Sequence, residues 1–562
     1  MTAIPTEDAR MGLQPAAPTI QQYDHETGPE IRLEEDASIY GTVVKFKKAT
    51  SDAAPKLDDG DAIPLRSADS AAPPDKKDSD DDHAGSAVEG SEDESFDEDL
   101  LHSAPYKQVL KKIDRYILPL FGLIYMLQYI DKSAMSYAAV YSFREDRALD
   151  SRQYSWLGSA FYLGYLGFEA PGSWLLQKVR TNYFMGAMVV TWGTLVMLMT
   201  APQGFDGLMA VRTLLGAAES VVTPGFALLT ARFYTRQEQP FRFAIWYSCN
   251  GLGSCIGGLL GYGVGHIDIS GFPNWAWIFL VNGALTVMAG IVFLIVCPNS
   301  PDTARFLAPD ERKIALDRVR GNKSSLENRT IKWYQVREAL NPFVDPQGWL
   351  LFFAVLSLTI PNGGLGNFFH LILKEYGYTA FETILLGLPT GVVQVFVVVC
   401  AGYLARRYNN KRVFIAIFGI TWSLLGVTIQ YCTRNNGARL FGYYVIVGFT
   451  GALSQLFALP VANVTGYSKR ITVQAMVYLA YGGGNSIGPQ FWKSGQNPPY
   501  RDGMLTCIIC FSASIGFLCT LRFYYRRENC RRDQLEAIEG KHHYPDFADI
   551  TDQENLSFRY VM

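Results

Sequence analysis

Trp275-Ala-Trp-Ile-Phe-Leu-Val-Asn-Gly-Ala-Leu-Thr-Val-Met-Ala-Gly-Ile-Val-Phe-Leu-Ile-Val-Cys297 runs without a single charged side chain. Wound as an α-helix at 1.5 Å per residue it measures about 35 Å, enough to cross a hydrocarbon core of about 30 Å. Its apolar residues form a continuous run instead of the one-sided stripe of a soluble amphipathic helix. Outward from it, similar runs lie at approximately 116–140, 154–177, 183–201, 207–231 and 243–266. After a polar stretch from Pro298 to Gln347 come 348–373, 382–405, 412–432, 440–463, 471–492 and 503–525. The plan is six spans, a polar connection and six more spans, an all-α membrane protein of twelve transmembrane helices.

The 562 residues are 49% hydrophobic and carry a formal net charge of -3. Residues 51–100 hold 17 acidic against 4 basic side chains, so the remainder is cationic. Those basic residues sit in short clusters between apolar runs, which fits membrane topology and gives no nucleic-acid surface. The nine cysteines are scattered, several inside apolar runs, and imply neither a disulfide framework nor a zinc site. Residues 1–105 lack a secretory start and read as a disordered acidic tail, so insertion falls to the first span. The boundaries expected are that tail, a first half over 106–297, a connection over 298–347, a second half over 348–525 and a tail over 526–562.

Lys and Arg near span ends are retained in the cytoplasm. Lys178, Arg180, Arg232, Arg236, Arg242, Arg406, Arg407, Lys411, Arg412, Lys469 and Arg470 all fall on alternate loops, and both tails add to the same side. Both termini and the connection are therefore expected to be cytoplasmic. The sequons at Asn322, Asn328 and Asn555 should stay unglycosylated, as should Asn463 at a span end.

Ionisable residues within spans are costly and usually face a bundle interior or an aqueous cavity. The first span holds Asp131 and Lys132, either a local ion pair or a proton and substrate site. In the second, Glu169 precedes Pro171; a desolvated carboxylate there can load a proton, or it can pair with Lys178. In the fourth, Arg212, Gly216 and Glu219 share one face, the glycine letting a neighbouring helix approach. A buried guanidinium needs an anion, and Glu219, Asp131 or a substrate carboxylate can serve. The polar candidates are Asn250 in the fifth span, Asn362 and Asn367 around Pro361 in the seventh, and Asn485 in the eleventh; glycine and proline interruptions expose backbone there, as at carrier binding sites.

The fifth span contains Gly251, Gly253, Gly257, Gly258, Gly261, Gly263 and Gly265 but no preceding strand and no following Lys-Ser/Thr. Close helix packing explains it better than a phosphate loop. No hydrolase or transferase constellation and no His-Glu-x-x-His spacing appears, so neither an enzyme, nor a metal, nor a cofactor is expected. An ion gradient is the natural energy source.

The six-connection-six plan with Arg212-x-x-x-Gly216-x-x-Glu219 resembles the major facilitator superfamily, whose halves rock around a central site. Gln128-Tyr-Ile-Asp-Lys132, Phe161-Tyr-Leu-Gly-Tyr-Leu-Gly167, Phe279-Leu-Val-Asn-Gly283 and Pro298-Asn-Ser-Pro-Asp302 are similar to the fungal allantoate permease family of anion:cation symporters. So are Ile360-Pro-Asn-Gly-Gly364, Asn367-Phe368, Asn463-x-Thr-Gly-Tyr-x-Lys-Arg470, Gly484-Asn-Ser-Ile-Gly-Pro489 and Pro499-Tyr500. The resemblance covers roughly residues 105–530. Asn282 stands where many members carry Glu, and Lys178-Val-Arg-Thr-Asn182 lacks the glycine common after the second span.

The resemblance implies proton symport of organic anions by a monomer; members are associated with allantoate, nicotinate, pantothenate, other vitamins and short peptides. The expectation for this chain is uptake of a small carboxylate across the plasma membrane, or the vacuolar one. Arg212 or Lys132 would meet the carboxylate, and Asp131, Glu169 or Glu219 would carry the proton. The rivals are an efflux antiporter and a nutrient sensor that signals through the acidic tail.

Overall fold

The computed structural model describes residues 104–562 apart from 236–237, 268–270, 325–330, 409, 494–495, 497–499, 541–543 and 545–548. The acidic tail up to residue 103, the sequon at Asn328 and the side chain of Asn322 lie outside the described residues. The first six spans are Ala104–Tyr141, Ser151–Lys178, Thr181–Leu198, Phe205–Phe233, Gln239–Val264 and Asn274–Val296. The second six are Gln347–Glu375, Ala380–Arg407, Arg412–Cys432, Asn436–Asn463, Tyr467–Ile487 and Arg501–Glu539. Between the sets lie two shorter helices, Pro309–Ser324 and Trp333–Leu340.

Eight spans are long and apolar enough to cross a membrane on composition alone. The other four are the first, second, fifth and eleventh, which hold Asp131 and Lys132, Glu169, Asn250 and Asn485. These less apolar helices meet one another: the first packs on the fifth and the second on the eleventh. The packing repeats with an offset of six. Spans one and five, two and four, and three and six pair in the first half; seven and eleven, eight and ten, and nine and twelve pair in the second. Spans five and eight, two and eleven, and one and seven join the halves.

Local chemistry sets the ends and the breaks. Asp150 accepts from the Gln153 backbone N–H at 2.6 Å while the Gln153 side chain accepts from the Asp150 N–H, a capping box that starts the second span. The fourth span breaks at Ser220–Val221, one residue past Glu219. Pro224 falls in the first turn beyond the break, where its missing N–H leaves no bond unmade and its ring would otherwise crowd the Ser220 carbonyl.

Gly216 and Gly164 make the crossing of spans two and four. A Cβ on Gly216 would lie 1.8 Å from the Phe161 carbonyl oxygen, and one on Gly164 would lie 1.9 Å from that of Thr213. Gly216→Ala is therefore expected to push these helices apart, costing at least about 1–3 kcal/mol and most of the folded protein recovered in detergent, as read by size-exclusion chromatography. The fifth-span glycines also act in packing: a Cβ on Gly253 would meet the Met126 carbonyl oxygen at 2.7 Å, and one on Gly251 would meet the Val395 side chain at 2.2 Å.

After the twelfth span, residues 549–562 fold back as a strap across the ends of spans nine to twelve. Asn463 donates to the Val561 carbonyl at 2.9 Å and accepts the Val561 N–H at 2.7 Å, so both the nitrogen and the oxygen of that sequon's amide are engaged. The Arg412 N–H donates to the Met562 carbonyl, and Tyr560 stacks on Tyr525 at 4.9 Å. At the centre, the fully buried Lys469 reaches Asp345 at 2.6 Å, Glu338 at 2.7 Å and Asp552 of the strap at 2.8 Å. Gln347 also donates to Asp345 and Asp552, and Tyr560 donates to Asp552 at 2.6 Å.

Three carboxylates around one cation leave excess negative charge. Burial pushes the Asp345 and Glu338 carboxyls above their ordinary range while Lys469 pulls them back. Groups raised in this way bind protons more tightly folded than unfolded. Between the ordinary carboxylate pKa and the raised one, stability then increases as pH falls. Mild acidification is expected to raise the melting temperature, and Asp345→Asn to remove part of that rise, measured by thermal unfolding across the mildly acidic range.

Candidate functional site

One end of the bundle carries the short connections 142–150, 376–379 and 488–493; the other carries the Pro309–Ser324 and Trp333–Leu340 helices and the strap. Asp131 and Lys132 sit ten and nine residues inside the first span from Tyr141, about 15 Å by helical rise. Glu219 is fourteen residues from either limit of Phe205–Phe233, at the middle of its span and beside the break.

The two neighbours in sequence do not pair with each other. Lys132 Nζ lies 3.0 Å from Glu219 Oε1, with the lysine side chain 28% exposed and the glutamate 1%. Asp131 instead turns to the sixth span, where Thr286 donates to Oδ2 at 2.7 Å. Its Oδ1 is buried without a hydrogen-bond partner. Consecutive residues on a helix project about 100° apart, so each carboxylate and cation finds its partner on a different neighbour.

Arg212 is buried, donates through Nε to the Leu157 carbonyl at 3.3 Å and stacks over Phe161 at 5.1 Å. Among the described residues no carboxylate comes within ion-pairing distance of it: Glu219, on the same face, is held by Lys132. Lys132 also lies over Phe161 at 5.3 Å, so one ring underlies both cations. Glu169 is half-buried nine residues inside Lys178, about 14 Å, and forms no ion pair with it.

Around Lys132 stand tyrosines that its charge reaches: Tyr125 and Tyr129 of the first span, Tyr162 and Tyr165 of the second, Tyr247 of the fifth and Tyr481 of the eleventh. In the sequence they do not stand out as candidates beside the charged residues. Their signal is tyrosines three or four apart in otherwise apolar spans, as in Tyr125/Tyr129, Tyr162/Tyr165 and Tyr478/Tyr481. Asn250 is half-exposed, without a side-chain hydrogen bond among the described residues.

Asn362 donates to Asn485 Oδ1 at 2.7 Å, and Asn485 donates to the Tyr481 carbonyl, tying spans seven and eleven. Asn367 donates to Gly363 in its own helix, and its backbone carbonyl accepts from Tyr154 of the second span at 2.9 Å. That last contact belongs to a seal between the halves. Ser159 donates to the Ser486 carbonyl at 2.6 Å, Gln490 to Ser159, and Lys374 to the Val140 carbonyl; Ser136 meets His370 at 3.2 Å. All lie toward the short-loop end. Among the described residues no hydrogen bond or ion pair joins the halves at the connection end.

Residues 121–489 match the family model of the Major Facilitator Superfamily. The allantoate permease of Saccharomyces cerevisiae is 35% identical, over 80% of this chain and 86% of its own. The chain belongs to the allantoate permease family of the major facilitator superfamily. An uncharacterized transporter of Schizosaccharomyces pombe is 37% identical over 83% of this chain and 91% of its own. In fold, this major facilitator protein is similar to a bacterial homologue of the human lysosomal transporter Spinster in an inward-facing, unoccupied conformation. That match has a TM-score of 0.56 at 16% identity and covers 75% of this chain and 97% of the other. The protein is a secondary transporter in an integral membrane fold, with hydrogen bonds between its halves, among the described residues, at the short-loop end.

Proposed function

We propose that the protein is a proton-coupled uptake symporter of a small carboxylate-bearing metabolite, allantoate-like or nicotinate-like. It would work as a monomer in the plasma membrane, with both termini cytoplasmic. The observation that supports this reading is the Lys132–Glu219 pair at mid-depth, with the lysine partly exposed and the glutamate enclosed.

An incoming carboxylate and Glu219 compete for the same ammonium. A proton on Glu219 neutralises that competitor and frees Lys132, so substrate anion and proton favour each other's binding. At Lys132 either alone is disfavoured: the anion has to share the ammonium with Glu219, and the proton leaves the ammonium unpaired. Arg212, held by a carbonyl and a ring, supplies a second cation for the anion. Asp131 and Glu169 are the further proton carriers, and Asn250, Asn362, Asn367 and Asn485 the polar contacts. The tyrosine ring around Lys132 gives planar faces and hydroxyls to the rest of the solute.

The test is uptake of a panel of labelled carboxylates by cells expressing the protein, at acidic and neutral outside pH, with and without an uncoupler. Acid-stimulated, uncoupler-sensitive accumulation of one compound is expected. If none accumulates despite surface expression, uptake of the tested anions is refuted; loss of a preloaded compound with alkalinisation of the cell exterior would point to proton-coupled exchange outward.

A further inference from the structure

The Trp333–Leu340 helix lies between the halves in sequence and has two unlike sides. On one, Gln335 and Ala339 are buried. The Gln335 side-chain oxygen accepts the backbone N–H of Ser468 at 3.0 Å and that of Lys469 at 3.4 Å, Glu338 takes the Lys469 ammonium, and the Lys332 N–H donates to Ser468 Oγ. This side caps the start of the eleventh span.

The other side is apolar and uncovered. Trp333 is 70% exposed, and Ile331, Tyr334, Leu340, Phe343 and Val344 are also exposed, Phe343 at 97%. Trp333, Arg337 and Leu340 fall at helical spacing on one face. Arg337 is exposed there and has no ion-pair partner among the described residues. The patch does not end with the helix. Trp349 of the seventh span donates to the Leu340 carbonyl at 3.0 Å and lies 5.9 Å from Phe353, which stacks on Phe517 of the twelfth span at 5.6 Å. It is thus continuous with the outward apolar surface of two membrane spans.

We infer that the Trp333–Leu340 helix is an interfacial anchor that lies on the bilayer at the connection end. Trp333, Leu340 and Phe343 enter the headgroup boundary, and Arg337 meets lipid phosphates. A short helix with an aromatic and aliphatic face interrupted by one unpaired arginine, joined to lipid-facing rings, fits this boundary. Because its other side holds Ser468 and Lys469, the anchor fixes the depth of the eleventh span's start while the halves move.

The chain has ten tryptophans, so the Trp333 contribution is the difference in emission between the wild type and Trp333→Phe. Both full-length proteins are reconstituted in phosphatidylcholine vesicles containing lipids brominated either near the headgroup end of the chain or near its terminal methyl. The difference emission should lose about half its intensity with the first lipid and clearly less with the second. Emission indifferent to both, as when a second copy or another segment covers the face, overturns the anchor; so does stronger quenching near the terminal methyl. Phe343→Trp offers the converse reading, since the emission it adds should follow the same order, and absence of that order counts against the proposal equally.

Discussion

Lys132→Met should reduce solute uptake by two or more orders of magnitude while the protein still reaches the membrane in reduced amount. Removing one partner of a buried ion pair leaves the other charge uncompensated, at a cost of about 3–5 kcal/mol. Here the abandoned partner is Glu219, 1% exposed, and the cation proposed to receive the substrate is gone as well. Glu219→Gln should act differently. It leaves Lys132 free, so exchange of labelled for unlabelled solute across vesicles should persist, while stimulation by outside acid is lost. The double variant Lys132→Met with Glu219→Gln should recover thermal stability without recovering transport. Three readings, net uptake, exchange and melting temperature, separate the roles. Acid-stimulated accumulation surviving in Glu219→Gln would move the proton to Asp131, whose Oδ1 has no partner, or to Glu169.

The second large effect belongs to Lys469, far from the pair. Lys469→Met should lower stability by about 3–5 kcal/mol, because Glu338, Asp345 and Asp552 would then face one another with no cation between them. Deleting residues 549–562 should also destabilise, since it takes away Asp552, the Tyr560 ring and the Val561 contacts to Asn463. Thermal unfolding of purified protein measures both. The strap's partners lie in the second half and in the connection, so molecules that do fold should transport with an unchanged apparent affinity. A lowered affinity in the truncated protein would mean that the strap reaches the solute pathway.

Much of this was readable from the sequence because a membrane crossing is a local property. About twenty apolar residues make one span wherever they occur; eight of the twelve runs satisfy that rule on composition, and the other four, the first, second, fifth and eleventh, are long helices of the same bundle. The shared face of Arg212, Gly216 and Glu219 was also local, and the close approach at Gly216 follows from it. Partnership was not. Whether Lys132 holds Asp131 or Glu219, and whether Arg212 holds any carboxylate, depends on how separate helices rotate against each other. The break beside Glu219 could have been suspected from Pro224, yet Pro119, Pro171, Pro361 and Pro389 lie inside unbroken spans. The strap gives no periodic signal at all: its Asp552, Tyr560 and Val561 acquire meaning only from the pockets they fill.

The seal between the halves has a consequence for how the carrier cycles. Its bonds are single hydrogen bonds from Tyr154, Ser159, Gln490 and Lys374, three of them to backbone carbonyls, plus ring packing between Tyr137 and His370 at 4.4 Å. Among the described residues no carboxylate takes part, so dissolved salt has little to screen and ionic strength should leave the opening rate nearly untouched. The neutral bonds contribute only about 0.5–1.5 kcal/mol each and the bond from the Lys374 ammonium about 1.5–3 kcal/mol, and they can be exchanged for water one at a time. The door is thus fastened by many weak catches instead of one strong bolt, which keeps the resting position from becoming a trap.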